Sequence, residues 1–213
     1  LAATVAELAP DAAPVESHGD AQQAAVDAAD CVFITTFDGA IAEVSEALSW
    51  RPGQGVVHCS GATTIRALEA AEAQGAVVGS LHPLQAFASD VEAALEALPG
   101  STFGIEARDG ISDYLEELAL SLGGRPLSLR SEDKALYHAT VVTMGGVLQG
   151  QLAALSQIWS ERFGVDRNDA AQALIPIVRG CADVIAAAGF PDAMAGAASI
   201  PLSSPPSPPA ALS

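Results

Sequence analysis

The sequence predicts an α/β sheet domain followed by an all-helical one. Short apolar runs rich in β-branched residues, CVFITT (31–36), GVVHCS (55–60) and AVVGSLH (76–82), alternate with helical stretches and are bounded by glycine, proline or aspartate. That rhythm reads as parallel strands joined by crossover helices. From about Ser131 it gives way to two long helices, and the 50% hydrophobic content of the 213 residues is ample for a buried core.

Taken in order, residues 1–8 read as the end of a helix and 20–29 as another. Strand 31–36 is apolar nearly throughout, as expected of a strand covered on both faces. Helix 40–48, strand 55–60, helix 64–74, strand 76–82 and helix 90–98 follow. STFGIEA (101–107) reads as a strand, 111–122 as a helix and PLSL (126–129) as a last short strand. Helices 132–163 and 168–188 meet at Gly164 and Asp166. Gly146 and Gly150 lie one turn apart with Gly145 beside them, which suits either close approach of another helix or simple core packing. The predicted organisation is a sheet domain over 1–130, a helical domain over 131–196 and a disordered Pro/Ser-rich tail over 197–213.

Charge narrows the partners. Against 26 acidic residues stand 9 basic ones, a net charge of −17, which repels polyphosphate backbones and anionic membranes, so neither nucleic acid nor a membrane is expected. Cys31, Cys59 and Cys181 form no CxxC pair and no metal-type cluster with histidine, so the expectation is a reduced, cytoplasmic protein without a metal site. No positively charged n-region with a hydrophobic core opens the chain, so no signal peptide is expected. Residues 135–160 carry no formal charge, but His138, Thr140, Thr143, Gln149, Gln151 and Gln157 interrupt them, as in a buried or interface helix.

A Rossmann domain carries G-x-G-x-x-G between its first strand and helix, where backbone amides hold a pyrophosphate. This sequence has no such turn, and it opens on a helix with no strand before it. The expectation is a partial Rossmann-type parallel sheet, truncated N-terminally by one βα unit.

Four segments could carry chemistry. TTFD falls at the carboxyl edge of a strand, where ligands bind in a doubly wound sheet, so Thr35, Thr36 and Asp38 could touch a cofactor; alternatively Asp38 caps the next helix. HCSGATT ends the next strand with small groups, and Ser60 and Gly61 leave room for a nicotinamide ring or a substrate, while Thr63 or Thr64 could simply be an N-cap. In SLHPLQAF a strand stops at His82, held extended by Pro83, which makes His82 a catalytic or binding candidate or a buried histidine bonded to backbone. DKALYH places Lys134, the one lysine of the chain, and His138 on one helix face at i and i+4, with Tyr137 beside them. Such a cation belongs at a cleft or in a solvated first turn. A hydrolase built on Ser60 with His58 or His82 is the weaker reading, because VHCSG lacks the G-x-S-x-G elbow.

VVHCSGA, GSLHPLQAF and DKALYHATVV, in this order and at these distances, resemble the bacterial family with a Rossmann-like domain followed by the domain of unknown function 2520. That family is itself similar to pyrroline-5-carboxylate reductase, ketopantoate reductase and coenzyme F420-dependent NADP oxidoreductases. The resemblance covers about 21–196. It implies an NAD(P)-binding domain followed by a helical domain like the C-terminal domain of 6-phosphogluconate dehydrogenase, forming a homodimer. It further implies an oxidoreductase that reduces a C=O or C=N bond of a small oxo- or imino-acid by hydride transfer from NADP or NAD, with reduced F420 as another donor. Lys134 or His138 would then be the proton donor and His82 a substrate orienter, with Thr35, Thr36, Asp38, Ser60 and Gly61 at the cofactor. The sequence departs from the family pattern in the absent glycine turn, in Phe37 where a proline is usual, and in Gly146 where an asparagine is expected. The alternative is a non-catalytic dimerising or regulatory remnant that binds no nucleotide.

Overall fold

β-Branched side chains crowd a helix and fit a pleated sheet, and the predicted apolar runs do form strands. The computed structural model describes residues 20–87, 90–190 and 192–193. Helix α1 (Asp20–Ala28) leads into β1 (Cys31–Ile34), a 3₁₀ turn (Asp38–Ala40) and α2 (Ile41–Ala47). Then come β2 (Gly55–His58), a 3₁₀ turn (Ile65–Leu68) with α3 (Glu69–Ala73), and β3 (Val77–Leu84). Helix α4 (Val91–Glu96), β4 (Thr102–Ala107), α5 (Ser112–Ser121) and β5 (Arg125–Ser128) complete the sheet region. A 3₁₀ turn (Ser131–Asp133) opens α6 (Lys134–Phe163), and α7 (Arg167–Ala188) follows. The helix expected over 1–8 and the tail expected over 197–213 lie outside the described residues.

The five strands are ordered β1-β2-β3-β4-β5, with β1, β2 and β3 parallel and β4 parallel to β5. The expected Rossmann-type parallel sheet is present with one exception, since β4 pairs antiparallel with β3. A parallel return requires a crossover that runs back along the strand. Helix α4 has six residues, about 9 Å at 1.5 Å each, whereas the eight residues of β3 extend about 26 Å. The chain therefore turns round at the end of β3 where it left it.

A correction concerns His82 and Pro83, which lie inside β3 and do not end it. Pairing with β2 ends at Ser80, and beyond it β3 is bonded to β4 alone. Pro83, which lacks an N–H, thus sits where one flank of the strand needs no donor.

Alternation in the strands feeds two cores. Val56 and Val78 join Val26, Ile34, Ile41, Trp50 and Leu68 on the face covered by α1, α2 and α3. Val57, Leu81, Phe103 and Ile105 join Leu98, Leu115 and Ala119 on the other, under α4 and α5. Buried Gln54 ties α1 to the sheet: its Nε2 donates to the carbonyls of Val26 and Ala29 at 2.7 and 2.8 Å.

The chain divides into two compact units, 1–145 and 146–213, with the break inside α6. About three turns of α6 therefore belong with the sheet. Gly164, at φ +68°, ends α6 in the left-handed conformation that glycine adopts freely. Asp166 caps α7 by accepting the N–H groups of Asn168 and Asp169 at 2.8 and 3.3 Å. Beyond the chain neighbours and the helix's own backbone, a Cβ placed at Gly145, Gly146 or Gly150 would meet no described atom within 4 Å. Among the described residues one helix, Arg167–Ala188, is long and apolar enough by composition to cross a membrane.

Candidate functional site

The site is assembled on one sheet face by side chains spaced two apart. Ser80 and His82 on β3 stand opposite Glu106 and Gly104 on β4, and Ser80 is also in register with His58 at the end of β2. Against this row lies the start of α6.

Lys134 is fully buried, neither at an open cleft nor in a solvated first turn. Its Nζ donates to Ser80 Oγ at 2.6 Å and to Glu106 Oε2 at 3.1 Å. Glu106 also accepts the Ile65 N–H on Oε2 at 3.2 Å and the Ser131 hydroxyl on Oε1 at 2.5 Å. Thr64 occupies the N-cap position of the 3₁₀ turn without capping it through its side chain. Glu106, from β4, instead accepts the N–H of the first residue of that turn, Ile65. Burial pushes the Lys134 ammonium below its ordinary range, and the charge and hydrogen bond of Glu106 oppose that shift.

One turn further along α6, Tyr137 and His138 meet His82. Nδ1 of His82 lies 3.0 Å from the Tyr137 hydroxyl. The His82 ring is edge-on to both neighbours, with centroids 5.7 Å from Tyr137 and 6.2 Å from His138. Gly61 fits against these rings because it has no side chain: a Cβ there would lie 2.7 Å from Nε2 of His82 and 2.7 Å from Nδ1 of His138. Nδ1 of His138 and Nε2 of His58 are buried without a partner among the described residues.

Burial, then the neighbouring His138 and Lys134, lower His82 to about 4. Burial followed by Lys134 lowers His58 to about 4 as well. Both imidazoles are therefore neutral at pH 7. Burial raises the Cys59 and Cys31 thiols to about 12, so neither is a thiolate nucleophile.

The sequence-derived candidates fall into three groups. His82, His138 and Gly61 come together. Lys134 lies beneath them, joined to Glu106, and Ser60 is occupied locally, its Oγ accepting the N–H groups of Ala62 and Thr63 at 3.2 and 2.9 Å. Thr35, Thr36 and Asp38 follow β1 and are exposed at its carboxyl end. Asp38 is the first residue of a 3₁₀ turn whose N-cap position, Phe37, makes no side-chain cap, so the capping alternative for Asp38 does not hold. Among the described residues no group of three or more His, Cys, Asp or Glu could hold a metal ion. Sequence reasoning missed Glu106, although a carboxylate inside the apolar strand FGIEA was a signal for it. Tyr137 was noticed only as a neighbour.

Residues 101–199 match the family model described as Domain of unknown function (DUF2520). No curated protein matches the chain. Among solved structures, protein TM1727 from Thermotoga maritima aligns with 78% of this chain and 63% of its own, at 23% identity and a TM-score of 0.61. A 1-pyrroline-5-carboxylate reductase from Streptococcus pyogenes aligns with 78% and 60%, at 15% identity and a TM-score of 0.56. A reductive aminase from Aspergillus terreus, in complex with NADPH and ethyl levulinate, aligns with 78% and 57%, at 17% identity and a TM-score of 0.56. The fold is thus that of the Rossmann-type reductases, with a mostly parallel sheet followed by helices. This chain spans less than two thirds of the length of each of those structures.

Two outcomes follow for stability. Lys134→Met leaves Glu106 buried without its cation and is expected to cost about 3–5 kcal/mol in urea unfolding. Adding Glu106→Gln should recover part of that loss, and a double variant no better than the single one would contradict the pairing. Separately, His58 and His82 titrate near 6.5 when unfolded and near 4 when folded, so the unfolded state binds more protons between those values. Their contribution is complete above about pH 6.5, is lost as pH falls toward 4, and is flat below. His82→Gln should make that fall shallower.

Proposed function

We propose that this chain serves NAD(P)H-dependent reduction of a C=O or C=N bond in a small oxo- or imino-acid. The observation that carries the reading is the cluster at Gly61, whose missing side chain lets ring nitrogens of His82 and His138 pack together at the carboxyl end of the sheet. Ligands of open α/β sheets bind at that end. The fold shared with reductases, two of them named for reducing or aminating chemistry and one of those holding NADPH, supports the same reading.

The residues fit the nicotinamide half of such a cofactor. Gly61 lets the histidine pair close up at that end, exposed Thr35 and Thr36 offer hydroxyls, and Asp38 offers a carboxylate suited to ribose hydroxyls rather than to phosphate. The bound nicotinamide would supply the hydride. His82, held neutral, would hydrogen-bond the heteroatom on which negative charge develops, with His138 beside it. Lys134 is then a positioning residue, because its Nζ is occupied by Ser80 and Glu106.

The helical unit supports assembly as a homodimer. Val147, Leu155 and Ile158 on α6, with Ile177, Val184 and Ile185 on α7, are large apolar side chains left exposed in the single chain. Light scattering on a sizing column is expected to give twice the 21.5 kDa chain mass, and a monomer would remove this part of the reading.

Fluorescence titration of NADPH and NADH into the purified chain, and into the chain carrying its upstream coding sequence, tests the function. Saturable binding is expected, with turnover of oxo- or imino-acids. His138→Asn should lower kcat by about a hundredfold while leaving nucleotide binding intact. Absence of saturable binding in both forms would overturn the proposal.

A further inference from the structure

We propose that Tyr137 is a positioning residue whose hydroxyl donates to Nδ1 of His82, fixing that ring as the Nε2–H tautomer and leaving the Nε2–H as its donor toward one polar heteroatom. The inference rests on the reductase reading only in taking that heteroatom to be the carbonyl oxygen or imine nitrogen of the substrate.

The direction of the bond follows from counting donors. A neutral imidazole has one N–H to place, and a phenol has one O–H. Among the described residues His82 Nδ1 is the only hydrogen-bond partner of the Tyr137 hydroxyl, at 3.0 Å. Were the proton on Nδ1, the phenolic hydrogen would have no acceptor there and Nε2 would offer only a lone pair. With the proton on Nε2, both groups on the Tyr137 side are satisfied and one donor remains for a ligand.

Where that donor points is set by glycines. The Tyr137 hydroxyl reaches His82 over Gly104, where a Cβ would stand 2.9 Å from it. On the far side of the ring, Nε2 packs against buried Gly61, where a Cβ would stand 2.7 Å from it and 2.7 Å from His138 Nδ1, so any side chain at that position would displace both rings. The buried, unpartnered Nδ1 of His138 belongs to the same closed cluster.

Long-range ¹H–¹⁵N correlation spectra of the labelled chain, with His82 assigned through His82→Gln, report the tautomer without any nucleotide or substrate. The expected result is a protonated Nε2 and a bare Nδ1 in the wild-type chain, and a mixture of tautomers in Tyr137→Phe. A wild-type Nδ1–H overturns the proposal, as does a Tyr137→Phe chain whose His82 tautomer is unchanged. If Tyr137→Phe does not fold, the wild-type tautomer decides alone. In an active preparation Tyr137→Phe should also lower kcat about tenfold, one hydrogen bond's worth, with KM for NADPH unchanged; wild-type kcat would count against it. A chain with the expected tautomer that never oxidises NADPH would sink the reductase reading and leave the Tyr137–His82 arrangement standing.

Discussion

A lysine ammonium in the interior of a sheet domain is tolerated only when it is paired and hydrogen-bonded, and much of the site depends on how Lys134 meets that condition. Its partners, Ser80 and Glu106, come from two strands, and Glu106 in turn gathers the Ile65 amide and the Ser131 hydroxyl. Four separate stretches of chain, counting the strand of Glu106 itself, thereby meet at the Lys134–Glu106 pair. The gain is in definition more than in stability, because a buried ion pair repays little beyond its own desolvation and an apolar pair of similar volume often does as well. What an apolar pair would lack is a single preferred register for α6 on the sheet.

That register decides the chemistry one turn later. Lys134 stands against the row of Ser80 and Glu106, and Tyr137 against the next same-face row, His82 and Gly104. Three helical residues advance about 4.5 Å and two strand residues about 6.6 Å. The start of α6 therefore keeps pace with β3 closely enough for successive contacts to fall on successive rows. Slipping the helix by one residue would turn each side chain through about 100° and break the anchor and the histidine contacts together.

How much of this was legible in the sequence differs by feature. The strands were, because β-branched apolar runs between glycine, proline and aspartate have few other uses. The reversal of β4 was not: STFGIEA is mostly buried on both faces, so its pattern is the same in either direction, and only the shortness of α4 distinguishes them. His82 and His138 were readable as candidates from position alone, but their meeting across Gly61 depends on tertiary contacts between residues 56 apart. Lys134 was singled out as a lone cation opening an apolar helix, which was the right residue to notice. Its partner lay 28 positions upstream on a strand whose neighbours could not be assigned from periodicity.

The reversal of β4 also explains why the site is polar at its base and adaptable above. β4 and β5 run against β1–β3, so the chain leaves β5 beside the Ser80–Glu106 row and α6 starts there, heading along β3 toward its carboxyl end. Charge is neutralised at the base of the helix, in the buried pair. The groups that reach the carboxyl end are then two imidazoles and a phenol, in surroundings that lower His82 to about 4 and keep it neutral. A permanent cation there would bind a reactant and its reduced product with a fixed charge. A neutral His82 donor of fixed tautomer instead strengthens its bond as charge develops on a bound heteroatom, which is the differential binding that the proposed hydride transfer would use.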